Sequence, residues 1–384
     1  MTLLTSPNGR RCFAGWILTF GLAVAPWAAP ALPPPHDINP TPEHPRSSEG
    51  GFVTLRSGRI VFAYSQFRGA QHDHSPSEIV EIHSDDQGRS WSDPRVAVQT
   101  GTYQNIMSVS LLRLASGRLA RFYAVKQTKW RDCHVVMSVS TDDGVTWSAP
   151  RLIMDAPGYF VLNNDRVIQT ASGRLIVPLG FHRTLTKNDE RAAWDSRAIA
   201  VWYYSDDEGA TWTESSTWWA IPVVSLSGLQ EPGVVQLADG SLYSWARTDQ
   251  GRQYEFTSMD QGVNWTAPRP GPLVSPESPA SIKCVPGTTT LLAVYNDHSG
   301  RVPTPSSPRQ RAPLAVAFST DGAKTWRPSQ VIEDDLTGWF CYTAIHFTED
   351  ALLLAYCAGN DKLGRLSRLR VRRIPLESLS VPRS

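Results

Sequence analysis

The chain has 384 residues, with 37 Lys and Arg against 36 Asp and Glu and a formal net charge of +1. That balance excludes an electrostatic nucleic-acid binder, which needs a basic excess to displace counterions. The apolar fraction of 41% and charged fraction of 19% exclude a disordered chain, and 27 Gly with 29 Pro argue for many turns and short strands rather than a helical bundle.

Residues 1–31 read as an export signal, placing the protein in the periplasm or outside the cell. Arg10 and Arg11 form a positive start, Phe13 to Ala25 is mostly apolar, and Ala29-Pro30-Ala31 is a small-x-small cleavage site. The pair Arg10-Arg11 points, on two residues only, to the twin-Arg route. The stretch is short and Pro-broken for a membrane span, and no later segment is apolar enough for one. No stable membrane insertion is therefore expected after cleavage. Residues 32–45 read as an extended, Pro-rich leader, and residues 46–384 as one folded domain.

A repeat runs through that domain. Ser84-Asp85-Asp86-Gln87-Gly88-Arg89-Ser90-Trp91 returns as Ser140 to Trp147, Ser205 to Trp212 and Ser258 to Trp265. A degenerate copy runs from Ser319 to Trp326, with Ala323 at the Gly position. In this S-x-D-x-G-x-[TSN]-W box the Asp oxygens accept from nearby backbone N–H groups and close a tight turn. The Trp folds over it and buries a large ring. Between boxes lie hairpin turns: Arg56-Ser57-Gly58-Arg59, Ala115 to Arg118, Ala171 to Arg174, Ala238 to Ser241, Pro286 to Thr288 and Thr348 to Asp350. The runs after them are strand-like, as in Ile60 to Tyr64, Leu291 to Tyr295 and Leu352 to Tyr356. Six hairpins and five boxes predict an all-β fold, a six-bladed β-propeller with Asp-box repeats. Its sixth blade ends without a box in Ser367 to Ile374.

Cys133, Cys284, Cys341 and Cys357 follow the signal without metal-ligand spacing. They read as buried free thiols. Cys341 and Cys357 flank the last hairpin and could face each other. No metal or organic cofactor is expected. Five Trp belong to the boxes, and Trp218, Trp219 and Trp339 are expected to line or support a pocket.

Propeller geometry sorts the loops. With strands A to D running from axis to rim, the A–B hairpins and the boxes share one face. The starts of the A strands and the B–C loops share the other. The box aspartates are therefore structural. Polar residues open every A strand: Arg46 and Glu49, Asn105 and Ser108, Asn164, Asp165 and Arg166, Glu231, Ser278 and Tyr342. The B–C loops add Arg68, His72, Asp73 and His74 in blade one, His182 and Arg183 in blade three, Arg247 in blade four and Arg311 in blade five. Together they would ring the axis, where polar groups need partners or a ligand.

At these residues the chain resembles the sialidase (exo-α-neuraminidase) superfamily, from about residue 46 to the end, as a divergent member. The resemblance implies three arginines on the substrate carboxylate. Arg46 stands ahead of Gly51 to Leu55, Arg247 ends Tyr243-Ser244-Trp245-Ala246-Arg247, and Arg311 leads Ala312-Pro313-Leu314 into a box. It implies Asp73 as acid/base, Glu231 of Glu231-Pro232-Gly233-Val234-Val235 as general base, and Tyr342 of Tyr342-Thr343-Ala344-Ile345 as nucleophile. A neutral Tyr avoids the repulsion that a carboxylate nucleophile would meet at an anionic sugar. Forked guanidinium groups suit a carboxylate.

Two features depart from the pattern. Cys357 follows Tyr356 where the family carries a Glu that supports the first arginine, and Glu49 is the proposed substitute. Asn164, Asp165, Arg166 and His182 add polar groups, read either as a pocket for a different acidic sugar or as an ion pair bracing blade three. The expected partner is a glycan or glycoconjugate with a terminal acidic sugar, and the expected activity is exo-acting, retaining glycoside hydrolysis. Two other readings stay open: a polysaccharide lyase using Tyr342 and His182, and a propeller that binds glycans without cleaving them.

Overall fold

Six antiparallel sheets surround one axis, each led by one of the predicted hairpins. The computed structural model describes residues 32–382; the export signal read over residues 1–31 lies outside the described residues. Blade one is typical. Strand A (Arg46–Thr54) turns into strand B (Ile60–Phe67), then C (Ser77–Ser84), the box, and D (Arg95–Val98). The inner strands of blades two to six begin at Asn105, Tyr159, Gln230, Ser281 and Gly338. Strand A of blade three is interrupted, as Tyr159–Val161 and Ile168–Gln169. Among the described residues no helix is long and apolar enough to cross a membrane.

The leader contributes a strand of its own. His36–Ile38 pairs with Leu369–Val371, so blade six takes its outermost strand from upstream of blade one. Asp37 accepts both Nε and Nη2 of Arg370, at 2.8 and 2.9 Å. Glu333, in strand D of blade five (Gln330–Glu333), accepts Arg372 Nη2 at 2.6 Å, Arg370 Nη1 at 3.1 Å and the Tyr356 hydroxyl. The join is thus stitched by charge as well as by backbone.

The core is divided among the blade interfaces. Phe122, Leu162, Leu175 and Leu179 pack between blades two and three, and Leu292, Phe340, Leu352 and Ile374 between five and six. Each box Trp joins such an interface: Trp91, Trp147, Trp212, Trp265 and Trp326 each pack against a different cluster. That accounts for much of the Trp excess. The alternating inward residues of neighbouring sheets make these cores, as expected for packed sheets.

The boxes are structural, as their position predicted. In the fourth, Asp260 Oδ1 accepts the Ser258 hydroxyl and the Asn264 N–H, both at 2.9 Å, and Oδ2 accepts the Asn264 side-chain amide. The residue beside the Gly reaches across to the hairpin of the preceding blade: Asp143 accepts Arg56 N–H at 2.7 Å and Glu208 accepts Ser116 N–H at 3.0 Å. Asp260→Ala should therefore lower stability by about 1 kcal/mol. It should move the urea midpoint without changing its slope or ligand binding at the axis.

Every non-Gly residue with positive φ falls into one of two sets. Gln87, Asp143, Glu208, Gln261 and Ala323 lie in the boxes. Glu49, Ser108, Glu231 and Tyr342 lie in inner strands, and Asp165 in the break of blade three's inner strand. In blades one, two, four and six the second set sits at a register shift in the A–B pairing. A β-bulge re-aims a side chain and increases local twist. A left-handed conformation costs a non-Gly residue roughly 1–3 kcal/mol. Five blades hold this pose at the axis.

Candidate active site

The six residues matched to the family motifs meet on one face. Tyr342 is buried and donates its hydroxyl to Glu231 Oε1 at 3.1 Å. Glu231 Oε2 accepts Arg247 Nη1 at 2.8 Å, and Arg247 Nη2 reaches Glu277 at 3.2 Å. Both backbones are bulged, with φ of 58° at Tyr342 and 49° at Glu231, and the phenol and the carboxylate converge from blades six and four. Burial, then the Glu231 charge, holds the Tyr342 phenol well above its ordinary pKa. Tyr342 is thus a neutral phenol beside a carboxylate that accepts its hydroxyl proton.

Arg311 is buried with its guanidinium 5.4 Å from the Tyr342 ring centroid and 5.3 Å from that of Trp339. Its Nε has no hydrogen-bond partner, and among the described residues no carboxylate forms an ion pair with it. Burial opposes its charge, but the nearby Cys341 thiol and Tyr342 keep it cationic. A buried cation without a counter-ion is costly unless a ligand supplies one.

Arg46 is the most committed of the three. Its Nε donates to Ser48 Oγ at 3.0 Å, Nη1 to Gln71 O at 3.1 Å and Asp73 Oδ1 at 2.5 Å, and Nη2 to Glu49 Oε2 at 3.3 Å. Glu49 is thus one of two carboxylates paired with Arg46. Burial raises the Glu49 carboxyl to about 7, against the pull of Arg46. Asp73 sits on the loop between strands B and C with its side chain 57% exposed. Desolvation by its neighbours works to raise its pKa, but Arg46 and then Lys126 hold it well below the usual carboxylate range.

A cavity of about 180 Å³ is lined by Glu49, Asp73, Glu231, Arg247 and Tyr342, with Arg46 and Arg311 outside its lining. His182 lines it too, as expected. Its Nδ1 faces the Asp195 carbonyl at 2.8 Å and its ring stacks on Trp194 at 4.3 Å. Burial lowers its pKa to about 4, so the imidazole is neutral near neutral pH.

Asn164, Asp165 and Arg166 do not line this cavity. Their side chains reach across to blades one, five and six. Asn164 Nδ2 donates to Gly50 O at 2.8 Å and Tyr342 O at 3.1 Å. Asp165 accepts Lys283 Nζ at 2.7 Å and Ile345 N–H at 2.8 Å. Arg166 donates to Ala280 O at 2.6 Å and Ser281 Oγ at 3.0 Å. These are cross-channel braces, and the partner of Asp165 is Lys283 rather than Arg166. Trp218 is corrected: it is 57% exposed at the outer edge of blade three. Trp219 packs under the fourth box through Trp265 O, and Trp339 supports Arg311. Cys341 and Cys357 stand directly opposite each other as buried free thiols.

Lys126, Tyr159, Asn163 and Trp194 also line the cavity. Lys126 could have been found, because it ends strand B of blade two as Arg247 ends that of blade four. Its buried Nζ donates to the Asp73 carbonyl at 2.7 Å and so ties down the acid's loop. Among the described residues no group of three metal-ligating side chains is gathered.

A family model described as a BNR repeat-like domain matches residues 66–354. A sialidase of Bacteroides fragilis (strain YCH46) is 25% identical over 319 residues, which cover 77% of this chain and 49% of that protein. The chain therefore spans about half the length of the curated relative it matches. Among solved structures, the Hadza microbial sialidase Hz136 aligns with a TM-score of 0.68 at 19% identity, over 88% of this chain and 67% of its own. The intramolecular trans-sialidase from Ruminococcus gnavus, in complex with oseltamivir carboxylate, aligns with a TM-score of 0.68 at 15% identity, over 90% and 97%. At such identities these two likenesses show the fold.

Proposed function

The chain belongs to the BNR repeat-like family, and from that premise we propose that it is an exo-acting, retaining glycosidase that releases a terminal acidic sugar from exported-compartment glycans. The observation that supports this best is the Tyr342–Glu231 hydrogen bond of 3.1 Å, made beside Arg247 and Arg311, with Arg46 on the same face. In this reading the substrate carboxylate lies on Arg311, Arg247 and Arg46. Arg311 is the arginine without a carboxylate of its own, so it anchors first.

Tyr342 attacks the anomeric carbon while its proton passes to Glu231 Oε1, and Asp73 protonates the leaving oxygen. A glycosyl–tyrosine aryl ketal results. Water then attacks with Asp73 as base, the phenolate leaves, and Glu231 returns its proton. Two displacements at one carbon retain configuration. Asp73 can act as an acid only after Arg46 Nη1 has turned from it to the substrate carboxylate, which removes the group that keeps it ionised. Ligand-free geometry commonly differs from the working geometry in this way.

The test is hydrolysis of an aryl α-ketoside of a sialic acid, with the first-formed anomer read by NMR. The α-anomer is expected; an inverted product, or an unsaturated product absorbing in the near ultraviolet, would sink the mechanism. Arg311→Met should raise KM roughly a hundredfold with a smaller effect on kcat, since it removes a charge-assisted fork from ground and transition states alike. An unchanged KM would remove Arg311 from the carboxylate site.

A further inference from the structure

We infer that Glu49 is a proton-accepting partner of the substrate carboxylate, so that an anionic ligand binds this site together with one proton. The inference rests on the reading of Arg46 as a carboxylate ligand. It begins from the donors of that guanidinium, which already serves two carboxylates, one hydroxyl and one carbonyl. A third carboxylate can reach Arg46 only by displacing one of the first two or by sharing a donor with it.

The two residents are not equivalent. Asp73 is 57% exposed on a loop and can turn toward water. The Glu49 side chain is 6% exposed and stands on a bulged strand at φ 58°, with Oε2 also held by Ser48 Oγ at 3.3 Å. It cannot leave. Its Oε1 has no hydrogen-bond partner among the described residues, and the residue lines the cavity. Once Arg46 is shared with a ligand, Glu49 is a buried carboxylate facing a second one, and burial of like charges is relieved by neutralising one of them.

The groups facing Glu49 pull in both directions. Arg46 on its own strand and Lys126 from blade two favour the anion. Asp73 from the B–C loop and Glu231 from blade four oppose it, and Tyr342 and Cys357 from blade six lie close enough for their own ionisation to feel it. Burial outweighs the cations in the free site, where the carboxyl sits near 7. A ligand carboxylate adds to the opposing side, so the bound form holds its proton to higher pH than the free form. Binding is then independent of this group below about pH 7 and weakens above it. Protonation is written simply: Glu49 carboxylate plus a solvent proton gives the neutral acid, which donates through that proton to the ligand oxygen.

Isothermal titration of the 2,3-unsaturated sialic acid glycal at pH 8, in phosphate and in Tris, reads the proton directly. The expected result is uptake approaching one proton per ligand, with Kd rising about tenfold per pH unit above pH 7. Glu49→Gln keeps the shape and should bind with no uptake and a flat Kd between pH 7 and 9. Asp73→Asn should keep the uptake. Binding by the native protein with no uptake, or uptake that persists in Glu49→Gln, overturns the inference while leaving the carboxylate site standing. Absence of any binding by the native protein at millimolar glycal removes the carboxylate site, and the inference with it.

Discussion

Tyr342→Phe should lower kcat on an aryl sialoside roughly a thousandfold while the protein stays folded. Nucleophilic and general-base contributions of this kind run from about a hundredfold to ten-thousandfold. The substitution removes one oxygen from a buried ring whose other contacts remain, so the pocket keeps its shape. Glu231→Gln should cost about as much, because its Oε1 is the acceptor for the proton that Tyr342 must lose. The two residues form one device. The double variant should therefore be scarcely worse than either single one, as expected when groups act as a unit. Turnover within tenfold of the native protein in Tyr342→Phe would exclude the phenol as nucleophile. Losses that multiply in the double variant would show that the two groups act in separate steps.

Glu333→Ala should be among the most damaging single substitutions to stability, by about 3–5 kcal/mol. The carboxylate is buried and holds Arg370, Arg372 and the Tyr356 hydroxyl at the seam between blades five and six. Its loss would leave one arginine, Arg372, without a carboxylate, while Arg370 keeps Asp37. Removing one partner of a buried pair costs more than the pair is worth, because the remaining charge stays desolvated. Glu333→Gln keeps an acceptor and should cost less. Urea unfolding of the two variants reads the difference; a loss under 1 kcal/mol for Glu333→Ala would mean that water reaches the seam.

The fold was legible because its repeat unit carries its own local chemistry. Ser, Asp, Gly and Trp at fixed spacing make a turn wherever they occur, and five copies at intervals suited to a four-stranded blade leave few alternatives. The face that holds the site followed from counting strands. Arg46, Asp73, Glu231, Arg247, Arg311 and Tyr342 were found by combining that face with motif position, and they converge. Asn164, Asp165 and Arg166 met the same positional rule and turned out to be braces. What separates them from Glu231 is where their side chains bond, across to blades one, five and six, and residue type does not report that. Glu277 and Trp194 come from connections outside the regular repeat, so no spacing pointed to them. The strand at His36–Ile38 is three residues long, too short to show a period, and its partner lies more than three hundred residues away.

The bulged inner strands have a consequence for how such a protein can change. Glu49, Ser108, Asp165, Glu231 and Tyr342 occupy one backbone pose repeated around the axis, each on a different blade. The pose belongs to the strand pairing and not to the side chain, so each blade offers a socket into which a different functional group can be fitted while the sheet behind it stays the same. Every socket filled with anything but Gly stores strain. Random stabilising substitutions should thus drift toward Gly or Asn at these positions, and selection for activity must oppose them one socket at a time. Ser108, which lines the cavity with the smallest of the five side chains, is where a new group could be introduced with the least rearrangement of the ring.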